Sequence, residues 1–400
     1  MHLLDLPITV FTWRNHNQRS NHLEFNTGLL RVISFSIHCI FEPESTCHEI
    51  SFSQCQGNQE LINTTEELES ELSRPTTGVL SALRNLAGDV MVLGAGGKMG
   101  PTLARMVRRG LDEIGHPQRR VIAVSRYSSQ TAAQRLQQHG VETISCDLTD
   151  RDAVHTLPDA PNVIFMAGQK FGTSHAPELT WVMNTLVPAY VAERFAKSRI
   201  VVFSTGCVYS HVKVDGPGAN ENGLMSPPGE YANSCIGRER VFTHFSKLHG
   251  TPSLLFRLCY AIDLRYGVLS DVATKVALGY PVDVSMGAVN VIWQGDANAR
   301  AIQCLAHVAS PPLALNVTGI ERISIRTLAH RFGELLNRDP ILCGTEQDAA
   351  WLWDASHSYQ LFGPPTVTVD QMVEETANWL LIGGELLGKP THFETTDGQF

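Results

Sequence analysis

The stretch DVMVLGAGGKMGP, residues 89–101, decides the fold. Asp89–Leu93 is a short apolar run, and such a run bounded by turn residues reads as a buried strand. Gly94-Ala95-Gly96-Gly97-Lys98-Met99-Gly100 follows it. A helical pattern then runs from Pro101 to Ile114, with Pro101 suited to the first turn. Strand, glycine turn and helix in direct succession give each glycine a purpose. Gly94 permits the tight turn, Gly97 lets a pyrophosphate approach the backbone, and Gly100 lets the helix pack on the strand. The helix N-terminus adds N–H groups and a positive dipole end. Gly94, Gly97, Lys98, Met99 and Gly100 are therefore candidate phosphate-binding residues.

Downstream, short apolar runs alternate with helical patterns. Strands are expected at Arg120–Val124, Glu142–Ser145, Asn162–Met166 and Ile200–Phe203. Helices are expected at Thr131–His139 and Trp181–Ala196. This alternation predicts an α/β fold, a doubly wound parallel sheet of the Rossmann type with a smaller C-terminal substrate lobe. Later elements are expected at Val289–Trp293, Leu313–Val317, Ile325–Leu336 and Val369–Leu381, with Asp296 capping a helix Ala297–His307. No internal repeat is visible.

Upstream, residues 1–57 show no sustained period and read as an irregular or non-native N-terminal extension. Residues 58–87 read as an acidic helix and linker. Thr64 or Thr65 caps the helix, and Ser73-Arg74-Pro75 stops it. The expected organisation is then a dinucleotide-binding domain over 88–258 and a lobe over 259–400, with segments of 289–317 returning to the core sheet.

The chain has 400 residues, 43% of them hydrophobic, and a net charge of −9 from 31 Lys+Arg against 40 Asp+Glu. That balance offers no general attraction to nucleic acid. The densest basic cluster, Arg105, Arg108 and Arg109, reads as the solvated face of one helix. No apolar run reaches the ~18 residues of a membrane span, and no signal peptide is expected. Nine cysteines without a CxxC fit free thiols in a reducing cytoplasm. No metal site is expected, because no His-x-x-x-His pair stands beside an acid.

The second predicted strand ends in Ser125-Arg126. An acid there would favour NAD, and an arginine accommodates the 2′-phosphate of NADP. The expectation is an NAD(P) cofactor, leaning to NADP.

The fifth strand runs into Phe203-Ser204-Thr205-Gly206-Cys207-Val208-Tyr209, and Tyr231-Ala232-Asn233-Ser234-Cys235 opens a later helix. With the Gly-x-x-Gly-x-x-Gly loop, these residues resemble the extended short-chain dehydrogenase/reductase superfamily, the NAD-dependent epimerase/dehydratase group. The resemblance covers roughly residues 88–380. It also rests on Asp147-Leu148, Ala167-Gly168, Asn184 and Gln294-Gly295-Asp296, in order and well spaced. It implies Tyr231 as acid/base, and Thr205 as the hydroxyl that holds the substrate oxygen, with Ser204 second. It implies cofactor contacts at Ser125, Arg126, Asp147, Leu148, Ala167, Gly168, Asn184 and Tyr231. It further implies a homodimer built on the catalytic helix.

In that family a lysine follows the tyrosine by four residues, where this chain has Cys235. Three readings stay open. Arg238, on the same helix face as Tyr231 and Cys235, supplies the cation. The tyrosine works less activated, helped by the nicotinamide charge. Or the site is inactive, and the protein is an NAD(P)-binding regulator or scaffold. The first two make it an oxidoreductase or epimerase acting on a sugar-derived hydroxyl or ketone. Asp263, Arg265 and Tyr266 are candidate substrate residues, polar groups in an apolar run. No arginine cluster for a sugar-nucleotide diphosphate is evident, so a free sugar, sugar acid or polyol is a rival substrate. The tail from Gly388 folds over the substrate mouth, meets a neighbouring subunit or stays loose.

Overall fold

The structure, a computed structural model, describes residues 61–398 apart from 128, 171 and 173–175. The irregular stretch 1–57 lies outside the described residues. The central sheet contains β1 (Val90–Leu93), β2 (Val121–Ser125), β3 (Glu142–Ser145), β4 (Asn162–Phe165) and β5 (Arg199–Thr205). Strands Ser253–Leu258 and Leu313–Val317 extend it beyond β5. The order is β3-β2-β1-β4-β5-(253–258)-(313–317), and every pairing is parallel. The chain reverses direction of winding between β1 and β4. In open α/β sheets that crevice, outside the carboxyl ends of the strands, is where ligands bind.

Strand alternation sorts the core. Val90, Val92, Val121, Ala123, Val201 and Phe203 face one layer. Met91, Leu93, Ile122, Val124, Ile200 and Val202 face the other. Both faces are covered by helices, which is why these strands read as unbroken apolar runs.

The acidic helix α1 (Thr65–Leu72) begins later than residue 59 because Thr64 holds a capping box. Its hydroxyl accepts from the Glu67 N–H at 3.2 Å, and Glu67 accepts from the Thr64 N–H at 3.1 Å. The stretch expected as linker carries a second helix, α2 (Thr77–Asn85). α2 packs on α3 (Gly100–Glu113), where a Cβ on Gly110 would stand 2.7 Å from a Leu83 methyl. The arginines of α3 are not a solvated face. Arg105 and Arg108 are buried. Arg105 pairs with Glu69 at 2.7 Å, Arg108 with Asp112 at 2.8 Å, and Arg109 donates to the Ser70 carbonyl at 2.7 Å. Charge spacing alone could not reveal that α1 covers Arg105 and Arg109.

Leu68 and Leu72 are fully buried among lobe residues such as Trp293 and Trp379. Leu72→Ala is expected to lower unfolding free energy by about 2–5 kcal/mol, the usual cost of a large-to-small core change. A urea melt measures it. A loss below about 0.5 kcal/mol would mean that α1 is not part of the cooperative fold.

In the C-terminal half, Leu313–Val317 enters the main sheet as expected, but 288–293 does not. Ala288–Val289 pairs with Ile323–Ser324, and Ile292–Trp293 with Ala261–Ile262. The helix after it spans Gln294–Cys304, so Asp296 lies inside its first turn rather than capping it. The Asp296 carboxylate instead accepts from the Thr366 N–H at 2.9 Å and the Thr366 hydroxyl at 2.8 Å. Among the described residues no helix is long and apolar enough to cross a membrane.

Candidate active site

β1 runs into Gly94, whose φ of +88° suits glycine. A Cβ there would stand 2.6 Å from the Ala167 nitrogen of the β4 loop. A Cβ on Gly100 would stand 2.5 Å from the Ala95 carbonyl oxygen. At Gly97 the nearest atom to such a Cβ would be the Gly94 oxygen at 3.4 Å, so this glycine keeps backbone open rather than avoiding a severe clash. Gly94, Gly97, Lys98, Met99, Gly100 and Gly168 all border one cavity of about 270 Å³ at the carboxyl edge of the sheet. This cradle fits a dinucleotide pyrophosphate against the N-terminus of α3.

Tyr231, Thr205, Ser204 and Arg238 border the same cavity. Tyr231 sits in the first turn of the helix Glu230–His249, and Thr205 is the last residue of β5. Their side chains are hydrogen-bonded. Ser204 and Thr205 are neighbours on a strand and point to opposite faces. The Ser204 hydroxyl donates to Glu239 at 2.6 Å, and Glu239 is held by Arg257 through contacts of 2.9 and 2.7 Å. Ser204 is thus committed to the framework, and Thr205 is the hydroxyl directed at Tyr231.

Position 235 holds a fully buried thiol, hydrogen-bonded to Tyr231 and pushed up to about 11 by burial. It carries no positive charge at neutral pH. Arg238 does. It is 5% exposed, and it pairs with neither Glu230 nor Glu239. One guanidinium nitrogen donates to the Phe203 carbonyl at 2.8 Å, a second to the Asn184 side-chain oxygen, and Nε is buried without a partner. Burial holds the Tyr231 phenol well above its usual 10, with Cys235 and Cys207 adding to that. Arg238 and the Thr205 hydrogen bond pull the other way without winning.

The remaining expected residues divide. Ser125, Arg126, Asp147 and Leu148 stand at the ends of β2 and β3, outside the cavity lining. Arg126 is exposed, and its charge helps hold Asp147 below the usual carboxylate range, after two hydrogen bonds from Thr149. Ala167 is buried beneath the loop. Asn184 does not line the cavity. It occupies a π-helical turn, Val182–Leu186, and its amide is spent on Gln169, Ser234 and Arg238. It therefore positions Arg238 and the β4 loop. Asp263 and Arg265 do not line the cavity either. They pair with each other at 2.7 Å, and Arg265 also reaches Glu69 at 3.3 Å. Of that trio only Tyr266 faces the cavity.

Sequence reading missed Lys170, Cys207, Cys259, Tyr260, Trp353 and Thr391, which also line it. Lys170, two residues beyond Gly168 in a strand-end loop, was within reach of motif reasoning. Trp353 and Thr391 carry no local signal, because they arrive through tertiary folding. The C-terminal tail does fold over the mouth. Thr391 donates its N–H to Asp271 at 2.7 Å and its hydroxyl to the same carboxylate, Phe393 is fully buried, and Glu394 pairs with Lys275 at 3.2 Å.

The chain thus combines a Rossmann sheet, a glycine cradle and a Tyr–Thr pair at the strand ends. Residues 90–278 match the model of the NAD dependent epimerase/dehydratase family. No curated protein matches the sequence. Among solved structures, a UDP-glucose 4-epimerase from Thermotoga maritima is 16% identical with a TM-score of 0.61, over 73% of this chain and 98% of that one. The dTDP-glucose 4,6-dehydratase DesIV from Streptomyces venezuelae, with NAD and TYD bound, is 15% identical with a TM-score of 0.62, over 73% and 97%. An epimerase from Methanothermobacter thermautotrophicus is 17% identical with a TM-score of 0.63, over 78% and 98%.

Proposed function

We propose that the cavity performs NAD(P)-dependent hydride transfer at a hydroxyl or ketone of a carbohydrate-like substrate. The observation that carries this reading is the hydrogen-bonded Tyr231–Thr205 pair in the same cavity as the glycine cradle. Nicotinamide, when bound, gives or takes the hydride. Thr205 holds the substrate oxygen, and Tyr231 moves its proton. Arg238 supplies the buried positive charge that favours the phenolate, in place of an ammonium at position 235. The epimerase and dehydratase relatives make sugars and sugar nucleotides the first compounds to screen. Leu179, Trp181, Leu186 and Leu248 are apolar and at least 39% exposed on helical segments 177–186 and 230–249, which supports the homodimer expected of this family.

The cofactor half of the reading is tested by fluorescence titration with NADPH and NADH. NADPH is expected to bind more tightly. Arg126→Ala is expected to weaken NADPH about tenfold, the loss of one charge-assisted contact, and to leave NADH unchanged. Equal affinities in the parent protein would remove the NADP preference. Binding of neither nucleotide would remove the oxidoreductase reading itself.

A further inference from the structure

Beyond the glycine loop the cavity is lined by Cys207, Cys259, Tyr260, Tyr266, Trp353 and Thr391. Three of these six are aromatic, and among the described residues no carboxylate lines the cavity. Trp353 comes from the C-terminal part of the chain and is 3% exposed. Its indole N–H donates to the Gly206 carbonyl at 2.9 Å, and its backbone N–H to the Asn290 side-chain oxygen at 3.1 Å. A Cβ on Gly206 would stand 2.4 Å from the indole and 2.4 Å from the Cys259 sulfur, so the ring lies directly against the residue that follows Thr205. Tyr260 meets the indole near edge-on, with ring centroids 5.3 Å apart. Rigid rings held beside Thr205 offer apolar surface to the C–H groups of a sugar, while the two hydroxyls of Thr205 and Tyr231 take its oxygen.

The same chamber has little room for a large substituent. The whole cavity, about 270 Å³, falls below the roughly 300–1,000 Å³ of pockets for drug-sized ligands, and the nicotinamide end of a cofactor would share it. A sugar nucleotide is itself of that size. The tail crosses the mouth from the helix Val268–Leu278, where Asp271 holds Thr391 and Lys275 holds Glu394, to the start of the Tyr231 helix. There a Cβ on Gly229 would stand 2.4 Å from the Gly398 oxygen. The three cations of the lining are engaged within the protein: Arg238 by Phe203 and Asn184, Lys98 over the Tyr266 ring, and Lys170 by the Thr391 carbonyl at 3.2 Å. None is set aside for a diphosphate, which paired guanidinium or ammonium groups would otherwise grip.

We propose that the substrate is a compact carbohydrate, a free monosaccharide or a polyol of that size, and that Trp353 helps to select it. The proposal rests on the oxidoreductase reading of the cavity and narrows it by substrate class, leaving nucleotide-linked sugars outside.

The test pairs two measurements on the full chain. Initial rates of nicotinamide reduction and oxidation are taken on free hexoses, pentoses, ketoses and hexitols, and on UDP-glucose and dTDP-glucose. Calorimetry follows UDP-glucose at millimolar concentration, with the chain alone and saturated with NADPH or NADH. Turnover of at least one free compound is expected, with neither turnover nor binding of the nucleotide-linked sugars. Trp353→Ala is expected to raise KM for that free compound about tenfold while kcat changes less than about twofold, and Trp353→Phe to raise KM less. Trp353→Phe keeps an aromatic ring in place, so it answers the question if Trp353→Ala does not fold. Turnover or binding of UDP-glucose by the parent chain would overturn the proposal. So would nucleotide binding with no turnover of any free compound. A fall in kcat at unchanged KM in the Trp353 variants would make that residue part of the framework and overturn its selecting role. If the parent chain binds neither NADPH nor NADH, the oxidoreductase reading fails separately, and the UDP-glucose titration of the chain alone still decides whether nucleotide-linked sugars are excluded.

Discussion

Tyr231→Phe is expected to lower kcat/KM by about 10²–10⁴-fold on any substrate the parent protein turns over, the range contributed by a positioned acid/base. The substitution removes one oxygen and leaves the ring that packs beside Cys235 and Cys207, so the melting temperature is expected to stay within a few degrees. Initial rates of nucleotide oxidation or reduction measure the effect. Burial keeps the phenol protonated at neutral pH, which suits it to donate when a ketone is reduced. In the oxidising direction it must lose that proton, so the rate is expected to rise with pH across the neutral range. Full turnover in Tyr231→Phe would remove the acid/base role from Tyr231, whereas nucleotide binding with no turnover in the parent protein would favour a nucleotide-binding regulator.

The largest stability effect is expected at Glu239. Its side chain is 4% exposed and that of Arg257 5%, and the pair is completed by hydrogen bonds from Ser204 to Glu239 and from Arg257 to Tyr209 at 2.6 Å each. Burial opposes the Arg257 charge, but Glu239 more than offsets it and holds the guanidinium above its ordinary value. Glu239→Ala strands that cation inside the protein and is expected to cost about 3–5 kcal/mol. Equilibrium unfolding in urea checks it, with Glu239→Gln as the milder partner, whose single carbonyl oxygen keeps only part of the acceptor set. A cost under about 1 kcal/mol would show that water reaches Arg257 and that the pair does not anchor the strand Ser253–Leu258 to the Tyr231 helix.

The sheet was legible because each strand is a contiguous apolar run punctuated by local signals. Glu142–Ser145 and Leu313–Val317 lie at the expected residues, and β1 differs by one. Gly94, Thr205, Tyr231 and Arg238 were legible because motif spacing fixes strand ends and one helix face. What spacing could not show is what partners do to a side chain. Ser204 and Asn184 carry the right chemistry for a site, yet Glu239 and Arg238 claim it. Asp263 and Arg265 neutralise each other and face α1 through Glu69, 196 residues away from Arg265 along the chain. Lys170 entered no motif, and its place in the cavity follows from the sheet that carries its loop.

The tail has a consequence for the life of the chain. Thr391 closes one wall of the cavity, and Gly398 lies so close to Gly229 that neither could carry a side chain, just ahead of the helix bearing Tyr231. Synthesis runs from the N-terminus, so the nucleotide cradle can form long before residue 391 leaves the ribosome. A nascent chain, or one clipped near residue 388, would have the cradle and the tyrosine but an open reaction chamber. Water would enter where Thr391 belongs, and Lys170 would lose the carbonyl that holds it. Closure of the cavity is thereby tied to a segment made long after the glycine cradle.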